Sequence, residues 1–102
     1  MPKTKFQNES NVVEVVKFDL PPNYKVILLN DDVTTFEFVI DILITIFHKK
    51  PKDAQQITMS VHEKGAGIAG VYSYDIARTK IAQVQKLASE QNFPLKLKME
   101  KE

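Results

Sequence analysis

The 102-residue chain contains no cysteine, which excludes disulfides, thiolate metal sites and catalysis by a cysteine of its own. Its 14 basic and 13 acidic residues nearly cancel, and a net charge of +1 creates no field that selects nucleic acid or an anionic membrane. No apolar run approaches the roughly 20 residues that a membrane-spanning helix needs, and the N-terminus shows no apolar core of a secretion signal. These absences make the cytoplasm the expected location.

The residues that are present indicate a single folded domain preceded by a tail. Apolar residues make up 43% of the chain and charged residues 26%, which are ordinary values for a globular domain. Pro21 and Pro22 cannot donate backbone hydrogen bonds and favour extended structure, so they predict a boundary. We therefore expect a flexible N-terminal tail at residues 1–20 and a folded domain at residues 21–102.

Three segments have the pattern of β-strands. Residues 24–29 form a β-branched and apolar run, which ends at polar residues that favour a turn. Residues 67–72 resemble a second strand. Strict alternation of apolar and charged residues over 95–100 predicts a third strand with one face in water.

The segment after the first strand predicts a helix with an amphipathic period. Thr34 and Glu37 have the spacing of a capping box, so the helix is expected to begin there. His48, Lys49 and Lys50 are expected to place positive charge at its carboxyl end, where the helix dipole is negative. The predicted core face of this helix comprises Phe36, Val39, Ile40, Leu43 and Phe47.

Two further helices are predicted. The second begins at Pro51 or the residue after it and ends near Lys64, where Gly65 is suited to the left-handed position after a helix. Ser73 is expected to cap the third helix, which ends before Pro94. The resulting order is β-α-α-β-α-β. We therefore expect an α+β fold, a two-layer sandwich in which three helices cover one face of a three-stranded antiparallel sheet.

Four polar residues are candidates for binding chemistry: Asn30, Asp31, Asp32 and His62. The first three are also the residues that turns ordinarily use, and a lone histidine is most often a surface or packing residue. Together, however, an amide carbonyl, a carboxylate and an imidazole nitrogen are three acceptors. Such a set matches the three donors of an ammonium group, and this predicts a receptor for an α-amine.

Catalytic and nucleic-acid functions are less well supported by the residues. Asp31 and Asp32 are neighbours that point in different directions, which makes them a poor carboxylate pair. A metal-assisted hydrolase using both aspartates and His62 remains an alternative, although two or three ligands are few for a metal site. No phosphate-binding glycine motif is present, and the lysines do not alternate with aromatic residues as in nucleic-acid-binding proteins.

Several blocks of the sequence closely resemble the ClpS family of adaptors for Clp proteases. The first block is residues 24–32, followed by Thr34 and residues 37–41. Further points of agreement are Val61-His62, Lys64-Gly65, Gly70-Val71, Thr79-Lys80 and Pro94-Leu95. The likeness covers about residues 21–100. It implies an adaptor without enzymatic activity, metal or cofactor, which delivers proteins to a protease.

The resemblance also implies what the candidate residues bind. Asn30, Asp32 and His62 are expected to hold the free α-amino group of a substrate protein, with Asp31 in a supporting role. The first side chain of that substrate, preferably Leu, Phe, Tyr or Trp, is expected to enter an apolar pocket. The walls of this pocket are expected to include Leu28, Leu29, Thr34, Phe36, Val39, Thr58, Val61 and Leu95.

Three positions depart from the family pattern. Phe36 stands where methionine is frequent, Thr35 where proline is frequent, and Thr58 where methionine is common. Phenylalanine is stiffer than methionine, so Phe36 is expected to narrow the entrance against β-branched residues. Thr58 is expected to make one wall smaller and more polar.

The implied partners are N-degron substrate proteins and the N-terminal domain of a ClpA-type AAA+ unfoldase, which works with ClpP. Asp75 and Lys80 match positions that contact the unfoldase, and the tail before Pro21 is expected to engage it during delivery. The expected state is a monomer that binds neither nucleic acid nor membrane. The alternative among binding proteins is a docking module of the ribosomal-stalk-like fold, which would not need Asn30, Asp32 and His62 as a set.

Overall fold

A computed structural model describes residues 20–102, and it confirms the predicted β-α-α-β-α-β order. The predicted tail falls almost entirely outside the described residues. The first strand begins one residue before its predicted limit, the second extends one residue beyond both limits, and the third begins and ends one residue later than predicted. The elements are β1 Asn23–Leu29, α1 Phe36–Thr45, α2 Pro51–Lys64, β2 Ala66–Ser73, α3 Tyr74–Glu90 and β3 Lys96–Lys101.

The three strands form an antiparallel sheet in the order β2-β1-β3, so the first strand lies at its centre. In β1, Val26 and Leu28 are fully buried in one core with apolar residues of all three helices. The strands β2 and β3 pair with β1 on either side. One irregularity between Val26 and Ile27 leaves Ala69 as an extra residue of β2, which is a β-bulge. The predicted two-layer α+β class is therefore confirmed.

The beginning of α1 differs from the prediction. Thr35, and not Thr34, is the N-cap residue, because its hydroxyl accepts a hydrogen bond of 3.2 Å from the backbone N–H of Phe38. The buried face is also shifted. Phe36 is 44% exposed, whereas Phe38 and Ile42 are buried. The helix contacts both α2 and the rest of the core, so it buries a wider face than the predicted stripe.

The carboxyl end of α1 is also not as predicted. The helix ends at Thr45, its last turn contains no basic residue, and His48 adopts a left-handed conformation with φ 58°. The positive charge comes instead from α3, where the Lys80 ammonium donates a hydrogen bond of 2.6 Å to the Ile46 carbonyl. That ammonium also lies 5.2 Å from the ring centre of Tyr72, within the range of a cation–π contact. Tertiary packing therefore supplies the cap that the local sequence does not.

The end of α2 is as predicted. Gly65 has φ 89°, which is a left-handed conformation, and its N–H donates to the Val61 carbonyl at 2.9 Å. At the start of β2 the backbone packs closely against α2. A Cβ on Gly67 would lie 2.7 Å from a methyl carbon of Val61. Ser73 occupies the N-cap position of α3, but its side chain makes no hydrogen bond to that helix. In α3, the buried residues are Ala77, Val84 and Ala88.

We predict that Gly65→Ala lowers the free energy of unfolding by about 1–2 kcal/mol, because a side chain is strained at positive φ. Gly65→Asn should cost less, since asparagine tolerates this conformation. Urea unfolding of both variants measures the difference. Gln55→Ala, an exposed change in the same helix, is the control. Equal stability of wild type and the alanine variant would contradict the role given to Gly65.

Candidate functional site

A pocket of about 270 Å³, counted to its open mouth, lies between the end of β1, the start of α1 and the last turns of α2. Its interior is apolar, because Val39, Val61 and Leu95 are among the buried core residues. Its rim is polar and exposed. The lining residues are Leu29, Asn30, Asp31, Thr34, Phe36, Val39, Thr58, Val61, His62 and Leu95.

A backbone hydrogen bond next to the last β1–β2 pair, Leu29 and Ala66, joins two segments of the rim that are distant in sequence. The N–H of Asn30, directly after β1, donates a hydrogen bond of 3.0 Å to the Gly65 carbonyl, directly after α2. His62 lies in the last turn of α2, three residues before that glycine. The structure thereby brings Asn30 and His62 to the same pocket, as the amine-receptor hypothesis requires.

Asp31 organises the loop that leads from β1 to α1. One of its carboxylate oxygens accepts from the backbone N–H of Val33 at 2.8 Å and of Thr34 at 2.6 Å. The other accepts from the Thr34 hydroxyl at 2.7 Å. Burial raises the pKa of Asp31, but these hydrogen bonds outweigh burial and bring the pKa below its ordinary value of 3.8. Asp31 therefore stabilises the conformation of the loop between β1 and α1, which is compatible with the supporting role expected of it.

Two predicted site residues do not line the pocket. Leu28 is fully buried in the core beneath it, because alternate residues of β1 point to opposite faces of the sheet and Leu28 points towards the helices. Asp32 is exposed on the loop beside the rim and is not part of the wall. The other predicted wall residues, from Leu29 to Leu95, do line the pocket.

Thr58 contributes less polarity to the pocket wall than a threonine with a free hydroxyl would. Its side chain is 2% exposed, and its hydroxyl donates to the Ala54 carbonyl one turn earlier in α2 at 2.7 Å. The hydroxyl proton is therefore used within the helix, and no unpaired donor faces the pocket. The hydroxyl oxygen keeps its acceptor lone pairs, so Thr58 adds polarity to the wall only as an acceptor, and its side chain is smaller than that of methionine.

Phe36 and His62 form an aromatic pair that the sequence did not predict. Their ring centres are 5.0 Å apart and their planes are inclined by 69°, an edge-to-face geometry. The two residues come from different helices, so no local sequence pattern signals the contact. Phe36 therefore borders both the apolar interior and the polar rim.

The second predicted surface lies at the start of α3. Asp75 is exposed in the first turn of that helix. Lys80 is half-buried, with its ammonium bonded to the Ile46 carbonyl, so the two residues do not present their charges in the same way. Two large apolar residues that the prediction omitted, Tyr74 and Ile76, are 45% and 50% exposed beside Asp75.

The described part of the chain does not provide the ligand set of a metal site. Within residues 20–102, no three or more His, Asp or Glu side chains are grouped so that they could hold a metal ion. The carboxylate oxygens of Asp31 are engaged by its own loop, so Asp31 is poorly placed as a ligand of the alternative hydrolase site. None of the helices in this range has the length and apolar character needed to cross a membrane.

We predict that Asp31→Asn lowers the free energy of unfolding by about 1–3 kcal/mol at neutral pH, because an amide donates where the carboxylate accepted. A carboxyl group whose pKa is lowered by folding stabilises the protein above its unfolded pKa and loses that effect as pH falls through the folded pKa. The difference between wild type and variant should therefore shrink below about pH 4. Urea unfolding at several pH values measures it.

Asp41→Asn is the matched control, since that exposed carboxylate lies on α1 and accepts no hydrogen bond from any residue in the range 20–102. A difference between wild type and Asp31→Asn that stays constant down to pH 2 would contradict the role given to the Asp31 carboxylate.

Comparison with known proteins places this geometry in a family. The model of the family "ATP-dependent Clp protease adaptor protein ClpS" matches residues 19–98. The ClpS adapter protein of Acetivibrio thermocellus is 56% identical over 100 residues, covering 98% of this chain and 97% of the relative. That of Clostridium acetobutylicum is 56% identical over 97 residues, covering 95% and 94%.

A solved structure shows the same fold. Agrobacterium tumefaciens ClpS2, bound to L-phenylalaninamide, superposes with a TM-score of 0.78 at 37% identity, covering 81% of this chain and all of the other. The family match covers most of the chain, and the relatives match nearly all of it. The chain therefore belongs to the ClpS family of ATP-dependent Clp protease adaptor proteins.

Proposed function

We propose that this adaptor binds proteins whose free N-terminal residue is bulky and hydrophobic, namely Leu, Phe, Tyr or Trp, and delivers them to a ClpAP-type ATP-dependent protease. The observation that carries the proposal is a pocket with a buried apolar interior beneath an exposed polar rim. It acts in the cytoplasm as a monomeric, non-enzymatic protein without cofactor. The ribosomal-stalk-like docking module is disfavoured, because the whole domain matches the ClpS family.

The interior of the pocket suits one apolar side chain. Its wall residues Val39, Val61 and Leu95 are apolar and buried, so the space is suited to an uncharged side chain. Burying a Leu- or Phe-sized side chain there contributes roughly 1.5–3 kcal/mol. A cationic side chain would have to lose its hydration in the same space, and the apolar side chains of Val39, Val61 and Leu95 offer no acceptor to replace it.

The rim suits the α-amine of the same residue. The Asn30 side-chain carbonyl and an imidazole nitrogen of His62 are acceptors at the pocket mouth, and Asp32 adds a carboxylate from the adjoining loop. Three acceptors match the three N–H groups of an ammonium ion. L-Phenylalaninamide, to which the Agrobacterium ClpS2 is bound, carries a free α-amine and an apolar ring, which supports this assignment.

Delivery uses a different part of the protein. We place Asp75 and the exposed Ile76 against the N-terminal domain of the unfoldase, because both stand on the surface at the start of α3. Lys80 supports this surface by holding the end of α1 to α3. The residues before Pro21 engage the unfoldase during the hand-over.

A peptide that begins with Leu or Phe should bind, whereas its N-acetylated form and a peptide that begins with Arg should not. Acetylation removes the charge and donors that the rim pairs with, and arginine is excluded by the apolar interior. Fluorescence anisotropy with labelled peptides measures all three. His62→Ala should weaken Leu-peptide binding roughly 10-fold or more, as expected for a lost hydrogen bond to a charged group. Equal binding of the three peptides would refute N-degron recognition.

Thr58→Met should reduce the space in the pocket and weaken binding of a Trp peptide more than that of a Leu peptide. Thr58→Val is the matched control, because it keeps the size of the side chain and removes only a hydroxyl that is used within α2. Affinities of both variants for both peptides test the size of the pocket. An unchanged ratio of Trp to Leu affinity in Thr58→Met would exclude this wall as a determinant of specificity.

Removal of the residues before Pro21 should spare peptide binding but impair degradation by the cognate protease. Asp75→Arg should weaken unfoldase binding while leaving peptide affinity unchanged. Degradation assays with a reporter that begins with Leu, beside anisotropy, separate the two steps. Undiminished degradation by the shortened protein would show that delivery does not depend on that segment.

A further inference from the structure

The exposed ring of Phe36 stands at the junction of the two parts of the site. It is the first residue of α1 and is 44% exposed, although phenylalanine is a residue that folding usually buries. Its ring lies edge-to-face with the imidazole of His62, with 5.0 Å between ring centres. This separation falls within the range of about 4.5–7 Å in which aromatic pairs attract.

Within residues 20–102, no ion pair restrains the imidazole. His62 is exposed, and within residues 20–102 its ring nitrogens make no hydrogen bond to another residue. The second torsion of a histidine side chain is broad and roughly two-fold, so an unrestrained ring samples several orientations. The direction in which a ring nitrogen points therefore depends on the contact with Phe36.

We propose that Phe36 is a positioning residue for His62, which holds the imidazole so that a ring nitrogen faces the α-amine at the pocket mouth. This inference rests on the proposed function. It adds that the wall of the side-chain pocket and the amine-binding rim act as one unit. Because an edge-to-face pair is a modest interaction, loss of the ring should weaken binding of a free-amine peptide about 2- to 10-fold.

The positioning role is separable from the role of Phe36 as an apolar wall. Phe36→Leu keeps an apolar side chain at the entrance but removes the ring that contacts His62. Phe36→Tyr keeps the ring. If Phe36 acts through His62, the leucine variant loses affinity and the tyrosine variant retains most of it. If Phe36 acts only as a wall, the effect of the leucine variant is independent of His62.

A double-mutant cycle decides between these roles. Binding of a peptide with N-terminal Leu is measured in wild type, Phe36→Leu, His62→Ala and the double variant. We expect the leucine substitution to weaken binding 2- to 10-fold in the wild-type background and to have almost no effect once His62 is alanine. The same loss in both backgrounds would overturn the proposal.

A readout in the free protein distinguishes failure of the proposed function from failure of this inference. The chain has two histidines, and His48 lies at the far end of α1 from Phe36, so it serves as an internal control in NMR. Phe36→Leu should shift the ring-proton resonances of His62 and leave those of His48 unchanged. In Phe36→Tyr, which keeps an aromatic ring, the His62 resonances should stay close to those of wild type. Unchanged His62 resonances in Phe36→Leu would refute the positioning contact, whether or not peptides bind.

Discussion

The site depends on the backbone pairing of β1 with β2, which the hydrogen bond from the N–H of Asn30 to the carbonyl of Gly65 extends one step beyond Leu29 and Ala66. This hydrogen bond joins the end of the central strand to the end of α2. The contact requires the chain to turn sharply at Gly65, and φ 89° is a conformation that only glycine adopts without strain. The rim residues Asn30 and His62 are consequently fixed relative to one another by backbone, with no need for a direct contact between their side chains.

Around this link, the pocket combines residues of the core with residues that folding has left exposed. Val61 and Leu95 are buried and give the interior its apolar character, while His62 next to Val61 points to solvent. The helical period places neighbouring residues of α2 on different faces, so one turn contributes both wall and rim. Phe36, at the start of α1, lines the pocket on the remaining side, and its ring pairs with that of His62.

Much of the fold follows from local patterns in the sequence. The apolar run of β1, the alternation in β3 and the glycine after α2 each identify an element or its end, because strand pairing and left-handed turns impose strong local preferences. The resemblance to ClpS adaptors located the candidate residues Asn30 and His62. The start of α1 was placed one residue early, because Thr34 and Thr35 are both suitable caps and only the competing demand of Asp31 decides between them.

The sequence by itself determined the order of the elements, the glycine stop and the set of polar residues available for binding. Tertiary structure alone decided that Lys80 caps α1 from α3, that Leu28 lies in the core beneath the pocket, and that Phe36 contacts His62. The physical reason is distance along the chain. Propensity and period act over one or two turns, whereas these contacts join separate elements and exist only once the helices have packed on the sheet.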